Sequence, residues 1–215
     1  MARPAKTDNG ATRNPERTRE RILSAALKEF AAKGFAGARV DEIARRAAIN
    51  KRMLYHYFGD KEDLFKAVLR RKISQRQAWA ENLTGDPAES LPFWFEAACK
   101  DLDWVRMLEW EALQSTGQKV IDEKERRAAS ARGLERVRQR QARGQISSEF
   151  DPRHVVLAMR SLTMFPMAFP QLTEMIMGRS VFDPKFQRER AAFLKKFAVA
   201  FQPANTQQVK IRFAK

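Results

Sequence analysis

Apolar residues along this chain return every three or four positions from Ile22 onward, and no segment alternates apolar with polar. That spacing lines one face of an α-helix, whereas a half-buried strand needs a period of two. Ile22, Leu23, Ala26, Leu27 and Phe30 set the pattern in a first helix opening at Pro15, and Gly34 suits its end. Val40, Ile43, Ala44 and Ala47 share a face of a second, short helix. Leu54 and Phe58 mark a third after Asn50, and Leu64, Phe65, Val68 and Leu69 a fourth that opens at Asp60. The fourth is expected over 61–82, and further helices at 87–100, 102–115, 121–143, 152–165, near 171–177 and at 184–201. Asp151-Pro152 and Asp183-Pro184 each pair a capping acid with proline at the first helical position, and Gly144 and Gly178 close helices. Pro166 and Pro170 argue against one long helix there. The fold class is all-α.

Charge says where to look next. The chain has 41 Lys+Arg against 26 Asp+Glu, a net +15, and residues 1–80 hold 19 of those cations against 9 acids. A surplus so concentrated favours a polyanionic partner, nucleic acid or an anionic surface, for a basic module at the amino end. No apolar run is long enough to cross a membrane and the first residues lack the apolar core of a signal peptide, so a cytoplasmic protein without a membrane partner is expected. Cys99 is the sole cysteine, which excludes an internal disulfide, and with His56 and His154 it cannot build a zinc finger. No metal and no cofactor is expected. Residues 1–14 read as a disordered basic arm.

The basic module becomes specific at residues 40–61, VDEIARRAAINKRMLYHYFGDK. A short amphipathic helix, the turn Ala48-Ile49-Asn50 and a second short helix fit a helix-turn-helix. Asn50 suits the cap of the second helix, with Ile49 and Leu54 placed as a hydrophobic staple. Lys51 and Arg52 take its first two positions, where the helix dipole disfavours cations. Such a placement makes sense if this end meets phosphates and base edges, since both side chains bond guanine O6 and N7. A solvated basic helix end is the other reading these residues admit. With Leu54 and Phe58 turned inward, at least two of Tyr55, His56 and Tyr57 lie outside the core, suited to phosphate oxygens. For Tyr55 packing against a neighbouring helix is the alternative.

From about Arg17 to Leu69 the sequence resembles the DNA-binding domain of the TetR (tetracycline-repressor-like) family of bacterial regulators. The resemblance is carried by Phe30-Ala-Ala-Lys-Gly34-Phe35, Val40-Asp-Glu-Ile43-Ala44, Leu54-Tyr55-His56-Tyr57-Phe58 and Gly59-Asp60-Lys61-Glu62-Asp63-Leu64. The remainder is similar in length and helical architecture only. It implies a three-helix helix-turn-helix domain over 15–74, a helical ligand-binding and dimerisation domain over 75–203, and a tail over 204–215. It implies further that Lys51, Arg52 and Met53 lie against base edges, that Tyr55, His56, Tyr57 and Lys61 hold phosphates, and that Asn50 belongs to the same surface. Two positions depart from the family pattern. Arg39 stands where Thr or Ser usually caps the second helix, so a weaker cap and a phosphate contact by charge are expected. Ala48 stands where the turn usually has glycine. Arg52-Met53 replaces the Gly-Thr of many relatives, so no operator sequence carries over.

The body supplies bulky, adaptable apolar side chains: Trp94, Phe95, Trp104, Met107, Leu108, Trp110, Met164 and Phe165 are the candidates for a ligand cavity, with plain core packing as the alternative. A hydrophobic or aromatic effector would fit, with Glu96, Glu109, Glu111, Arg160 or Gln114 as polar fixtures. The charged stretch 121–143 reads as a solvated face of mixed ion pairs. The helices at 152–165 and 184–201 each carry a broad apolar face, and in the family two late helices form a four-helix bundle across a two-fold axis. The leading expectation is therefore a dimeric repressor that binds a palindromic double-stranded operator and a small effector. Activation and nucleoid-type DNA binding are the alternatives. An enzyme built on Cys99 is disfavoured, because an apolar helix surrounds that thiol.

Overall fold

A computed structural model describes residues 14–84, 86–114 and 120–203. Among them it forms ten α-helices and no strand: α1 (Pro15–Gly37), α2 (Val40–Arg46), α3 (Lys51–Phe58), α4 (Lys61–Glu81), α5 (Pro87–Lys100), α6 (Leu102–Gln114), α7 (Glu123–Ala142), α8 (Pro152–Ala168), α9 (Pro170–Met177) and α10 (Pro184–Phe197), with a short 3-10 helix at Ala198–Phe201. The arm expected over 1–14 lies outside the described residues except for Asn14, as does the tail expected from 204. The chain divides after Val68 into two units, so α4 supplies residues to both.

In the first unit local chemistry sets each helix end. The Asn14 side chain accepts the Glu16 and Arg17 N–H groups at 3.0 and 3.3 Å, and Asp60 Oδ1 accepts Asp63 N–H at 2.8 Å to open α4. Gly34 sits at φ 67°, and α1 kinks there before ending. Ile22, Leu23, Ala26 and Phe30 of α1 are buried with Ile43 of α2, Leu54 and Phe58 of α3, and Leu64 and Phe65 of α4. The Phe30 and Phe65 rings meet edge to face at 4.9 Å between centroids, a favoured aromatic geometry. Arg39 provides no side-chain cap for α2. Glu29, buried in α1, takes over part of that task by accepting Arg39 N–H at 3.3 Å, and it pairs with Arg46 at 3.4 Å.

In the second unit α5 packs against α8 and α10. Leu91, Phe95 and Ala98 of α5 meet Val105, Val137, Val155, Phe186 and Leu194 in one core. Asp151 and Asp183 cap α8 and α10, accepting Arg153 N–H and Lys185 N–H, each at 2.7 Å.

One expectation fails here: α8 does not stop at Phe165 but runs through Pro166 to Ala168. Proline lacks the N–H that would reach the carbonyl four residues back. The stranded Leu162 carbonyl accepts instead from Arg190 Nη2 of α10 at 3.0 Å. The chain breaks one step later, at Phe169, and Pro170 starts α9. Arg190→Met is expected to lower stability by about 1–3 kcal/mol, the range for an orphaned buried acceptor. Pro166→Ala, which returns an N–H, should recover part of that loss. Thermal melts of both single variants and the double variant check this, and equal cost of Arg190→Met in either background would contradict it.

Candidate functional site

The second helix of the helix-turn-helix is held by one face. Leu54 and Phe58 are buried, while Lys51, Arg52, Tyr55 and His56, one and four residues apart, share the exposed face. Asn50 Oδ1 accepts Met53 N–H at 2.8 Å, so the expected cap is made. Met53 and Tyr57 are half-buried at the edges of this face, and the Tyr57 ring lies between those of His56 and Phe58 at 6.0 and 6.4 Å. Gly59, at φ 76°, ends α3 and its N–H donates to Tyr55 O at 2.8 Å.

The turn before α3 is pinned by a residue that pattern reading passed over. Arg21 of α1 donates from Nη2 to Ala47 O at 2.5 Å and to Ala48 O at 3.2 Å, and from Nε to Ala47 O at 3.1 Å. These are carbonyls that the end of α2 leaves unpaired. Ala48 itself has φ 51°, left-handed backbone that costs an L-residue roughly 1–2 kcal/mol.

Some cations of this unit face acids, Arg45, Arg46, Lys51 and Lys66 among them. Glu42 accepts Arg45 Nε and Nη2 at 2.8 and 2.7 Å and Arg46 Nε at 2.7 Å. Those bonds hold its carboxyl down at about 2, Arg45 contributing most and Arg46 next. Lys51 pairs with Asp41 at 3.0 Å, and hydrogen bonding to that carboxylate raises its pKa. Lys61 is turned inward: it donates to Ala36 O at 3.1 Å and stands 5.1 Å from the centroid of the Phe35 ring, and burial lowers its pKa. The ammonium keeps two further donors for its expected phosphate contact. Arg39 and Arg52 are exposed and, among the described residues, form no ion pair.

The second unit encloses a cavity of about 280 Å³. Trp94, Trp104, Leu108 and Met164 line it, four of the side chains expected for a ligand. Phe95 is wholly buried in the core instead, because it shares the inner face of α5 with Leu91 and Ala98, and Met107 is also buried outside the lining. Trp110 and Phe165 are exposed. Among the expected polar fixtures Arg160 lines the cavity, and Glu111 stands one step back, its Oε2 accepting from Arg126 Nη2 at 2.7 Å. Glu96, Glu109 and Gln114 are not among the lining residues.

A second expectation is corrected by α7. It carries ion pairs such as Arg127–Glu123 on its outer side, but it is not simply a solvated face. Arg126, Ala129, Ser130, Gly133, Arg136, Val137 and Arg140 line the cavity, and their spacing of three and four is the helical period itself. Arg76 of α4 also lines it, a residue that no motif singles out.

Cys99 is half-buried, and burial followed by the charge of Glu96 pushes its thiol up to about 11, so it stays protonated near neutral pH. Among the described residues no cluster of His, Cys, Asp and Glu gathers for a metal, and no single helix is long and apolar enough to cross a membrane.

Two family models match the chain: bacterial regulatory proteins of the tetR family over residues 22–68, and the tetracyclin repressor-like C-terminal domain over residues 93–198. The HTH-type transcriptional repressor SCO4008 of Streptomyces coelicolor is 33% identical over 174 residues, 78% of this chain and 88% of that protein. The HTH-type transcriptional repressor NicS of Pseudomonas putida is 42% identical over 79 residues, 35% of this chain and 37% of its own. Among solved structures, the transcriptional regulator SCO4942 of Streptomyces coelicolor superposes with a TM-score of 0.71 at 27% identity, over 86% of this chain and 98% of that one. The regulator FadR of Bacillus subtilis, solved with stearoyl-CoA, shares the fold with a TM-score of 0.63 at 17% identity, over 84% and 97%.

Arg52→Ala is expected to reduce discrimination between a preferred and a scrambled duplex by about 1–3 kcal/mol, whereas Arg39→Ala should weaken both alike and flatten the salt slope by about one. Asp41→Asn, which frees Lys51, should tighten binding to both. Anisotropy titrations at two salt concentrations read all three, and equal losses for Arg52→Ala on both duplexes would reduce it to a phosphate contact. Ala48→Gly should stabilise the fold by up to about 1 kcal/mol, since strain relieved exceeds backbone entropy lost. A lower melting temperature would contradict that.

Proposed function

The chain belongs to the tetR family of bacterial regulatory proteins, DNA-binding regulators of transcription, and we propose that it acts in the cytoplasm as a dimeric repressor released by a small effector. The observation that carries the reading is the outer face of α3. Cations at the dipole-disfavoured end of a helix, one of them without an acid partner, are costly for folding alone and useful against phosphates and guanine edges.

Dimerisation is supported by apolar side chains left on the surface of the second unit. Leu157 and Phe165 of α8, Met175 and Ile176 of α9, and Phe193 and Phe197 of α10 are all exposed, Leu157 at 61% and Met175 at 75%. Large apolar side chains left exposed in such number on a lone chain are consistent with a surface that a second copy covers. These helices use one face for the core, where Val155, Phe186 and Leu194 are buried, and present the other outward. A two-fold pairing would present two copies of α3 to half-sites about 34–36 Å apart, one turn of B-DNA. The cavity supports a place for an effector, and α4 supplies both the start of the first unit's last helix and cavity residues such as Ile73 and Arg76. A coupling of about 1–3 kcal/mol between the sites is enough for release.

Selection of bound duplexes from random sequence should recover a two-fold symmetric site. The chain should sediment as a dimer, and Leu157→Arg with Phe193→Arg should yield a folded monomer that binds the selected site far more weakly. A monomeric parent chain, or selected sequences without symmetry, would overturn the reading.

A further inference from the structure

Five arginines reach the cavity of the second unit from three helices: Arg76 of α4, Arg126, Arg136 and Arg140 of α7, and Arg160 of α8. No aspartate or glutamate is among the lining residues. Of the acids near them, Glu111 forms a two-pronged pair with Arg126, and Asp101 pairs through Oδ1 with Lys72 at 2.7 Å while its Oδ2 is buried without a partner. Among the described residues the other four arginines form no ion pair.

The arrangement works against the arginines themselves. Nη1 of Arg76 is buried without a partner, and its guanidinium lies 4.9 Å from the centroid of the Trp94 ring and 5.9 Å from that of Trp104. Burial comes first in lowering the pKa of Arg140 and of Arg160, with Arg136 and Arg143 adding to it at the former and Arg126 at the latter. At Arg76 burial again leads, opposed by Asp101 and reinforced by Arg160. A guanidinium does not give up its proton in a protein, so the repulsion stays in the fold and an anion among these groups offsets it. The walls beside them are flat and apolar, formed by Trp94, Trp104, Leu108 and Met164.

We propose that this cavity takes an organic anion, a compact apolar or aromatic body carrying a carboxylate or phosphate that the unpaired arginines fork. As an effector assignment it rests on the reading of the chain as a ligand-responsive regulator, and it narrows the apolar effector of that reading to a charged one. The space, about 280 Å³, lies at the small end of the usual range of about 300–1,000 Å³ and suits one or two fused rings.

The test uses calorimetry and tryptophan fluorescence on the full chain without DNA. The probes are 2-naphthoate and phenyl phosphate, their neutral counterparts 2-naphthamide and phenol, and inorganic phosphate. At least one organic anion should bind tenfold or more tightly than its neutral counterpart and than inorganic phosphate, and the better of the two identifies the head group. Arg160→Gln and Arg136→Gln should each weaken that anion at least tenfold while raising the melting temperature of the unliganded chain, because a repelling cation is gone. A merely structural arginine would lower both. Arg188→Gln, an exposed residue outside the cavity, should change neither. Failure of both organic anions to bind, equal binding of acid and neutral probe, or unchanged affinity in both glutamine variants overturns the proposal. Addition of the bound anion to the protein–DNA complex is a separate arm: release supports the regulator reading, whereas binding without release keeps the anion site and removes that reading.

Discussion

Burial of Leu54 and Phe58 holds α3 by one face, and that anchorage leaves Lys51, Arg52, Tyr55 and His56 facing outward. Around it every neighbouring interaction fixes the angle of presentation. Asn50 closes the first turn, Gly59 ends the helix, and Arg21 holds the carbonyls of the turn between α2 and α3. A helix of eight residues has little stability of its own and takes its shape from such packing. Loosening any of these contacts would blur the position of the side chains on the outer face.

Both units pair part of their positive charge with acids, and each leaves some of it unpaired. The first neutralises some of its own: Glu42 takes Arg45 and Arg46, Glu29 takes Arg46, and Asp41 takes Lys51. Arg39 and Arg52 stay outside these pairs and exposed. The second unit gathers arginines into a cavity without matching acids. A fold tolerates that through aromatic faces, as with Arg76 over Trp94, and through the anions it meets. The long basic run of α7 thus serves two masters, solvent pairs on one side and the cavity on the other.

The parts of this structure that depend on local chemistry were legible in the residues. Caps at Asn50, Asp60, Asp151 and Asp183 lie where short polar side chains precede helical periods, and the core of the first unit follows the apolar spacing from Ile22 to Phe65. What depends on contacts distant in sequence was not. Pro166 looked like an ending because its rescue comes from Arg190 on another helix. Trp94 and Phe95 are adjacent and both apolar, yet the turn of about 100° between them around α5 sends one to the cavity and the other to the core. The arginines of α7 were read as solvated because charge usually is, although their period of three and four already drew a stripe. Lys61 meets the ring of Phe35 and the carbonyl of Ala36, a contact between two motifs that neither shows by itself.

The claim most in need of a direct measurement is that the exposed end of α3 enters the major groove. A hydroxyl-radical-generating iron chelate attached at position 52, in an Arg52→Cys chain whose Cys99 is replaced by Ser, cuts whichever DNA sugars lie within reach. Cleavage patterns offset across the strands as a major-groove source requires, in two patches one helical turn apart, are the predicted result. Minor-groove cleavage, a single patch, or cutting spread evenly along the duplex would contradict it.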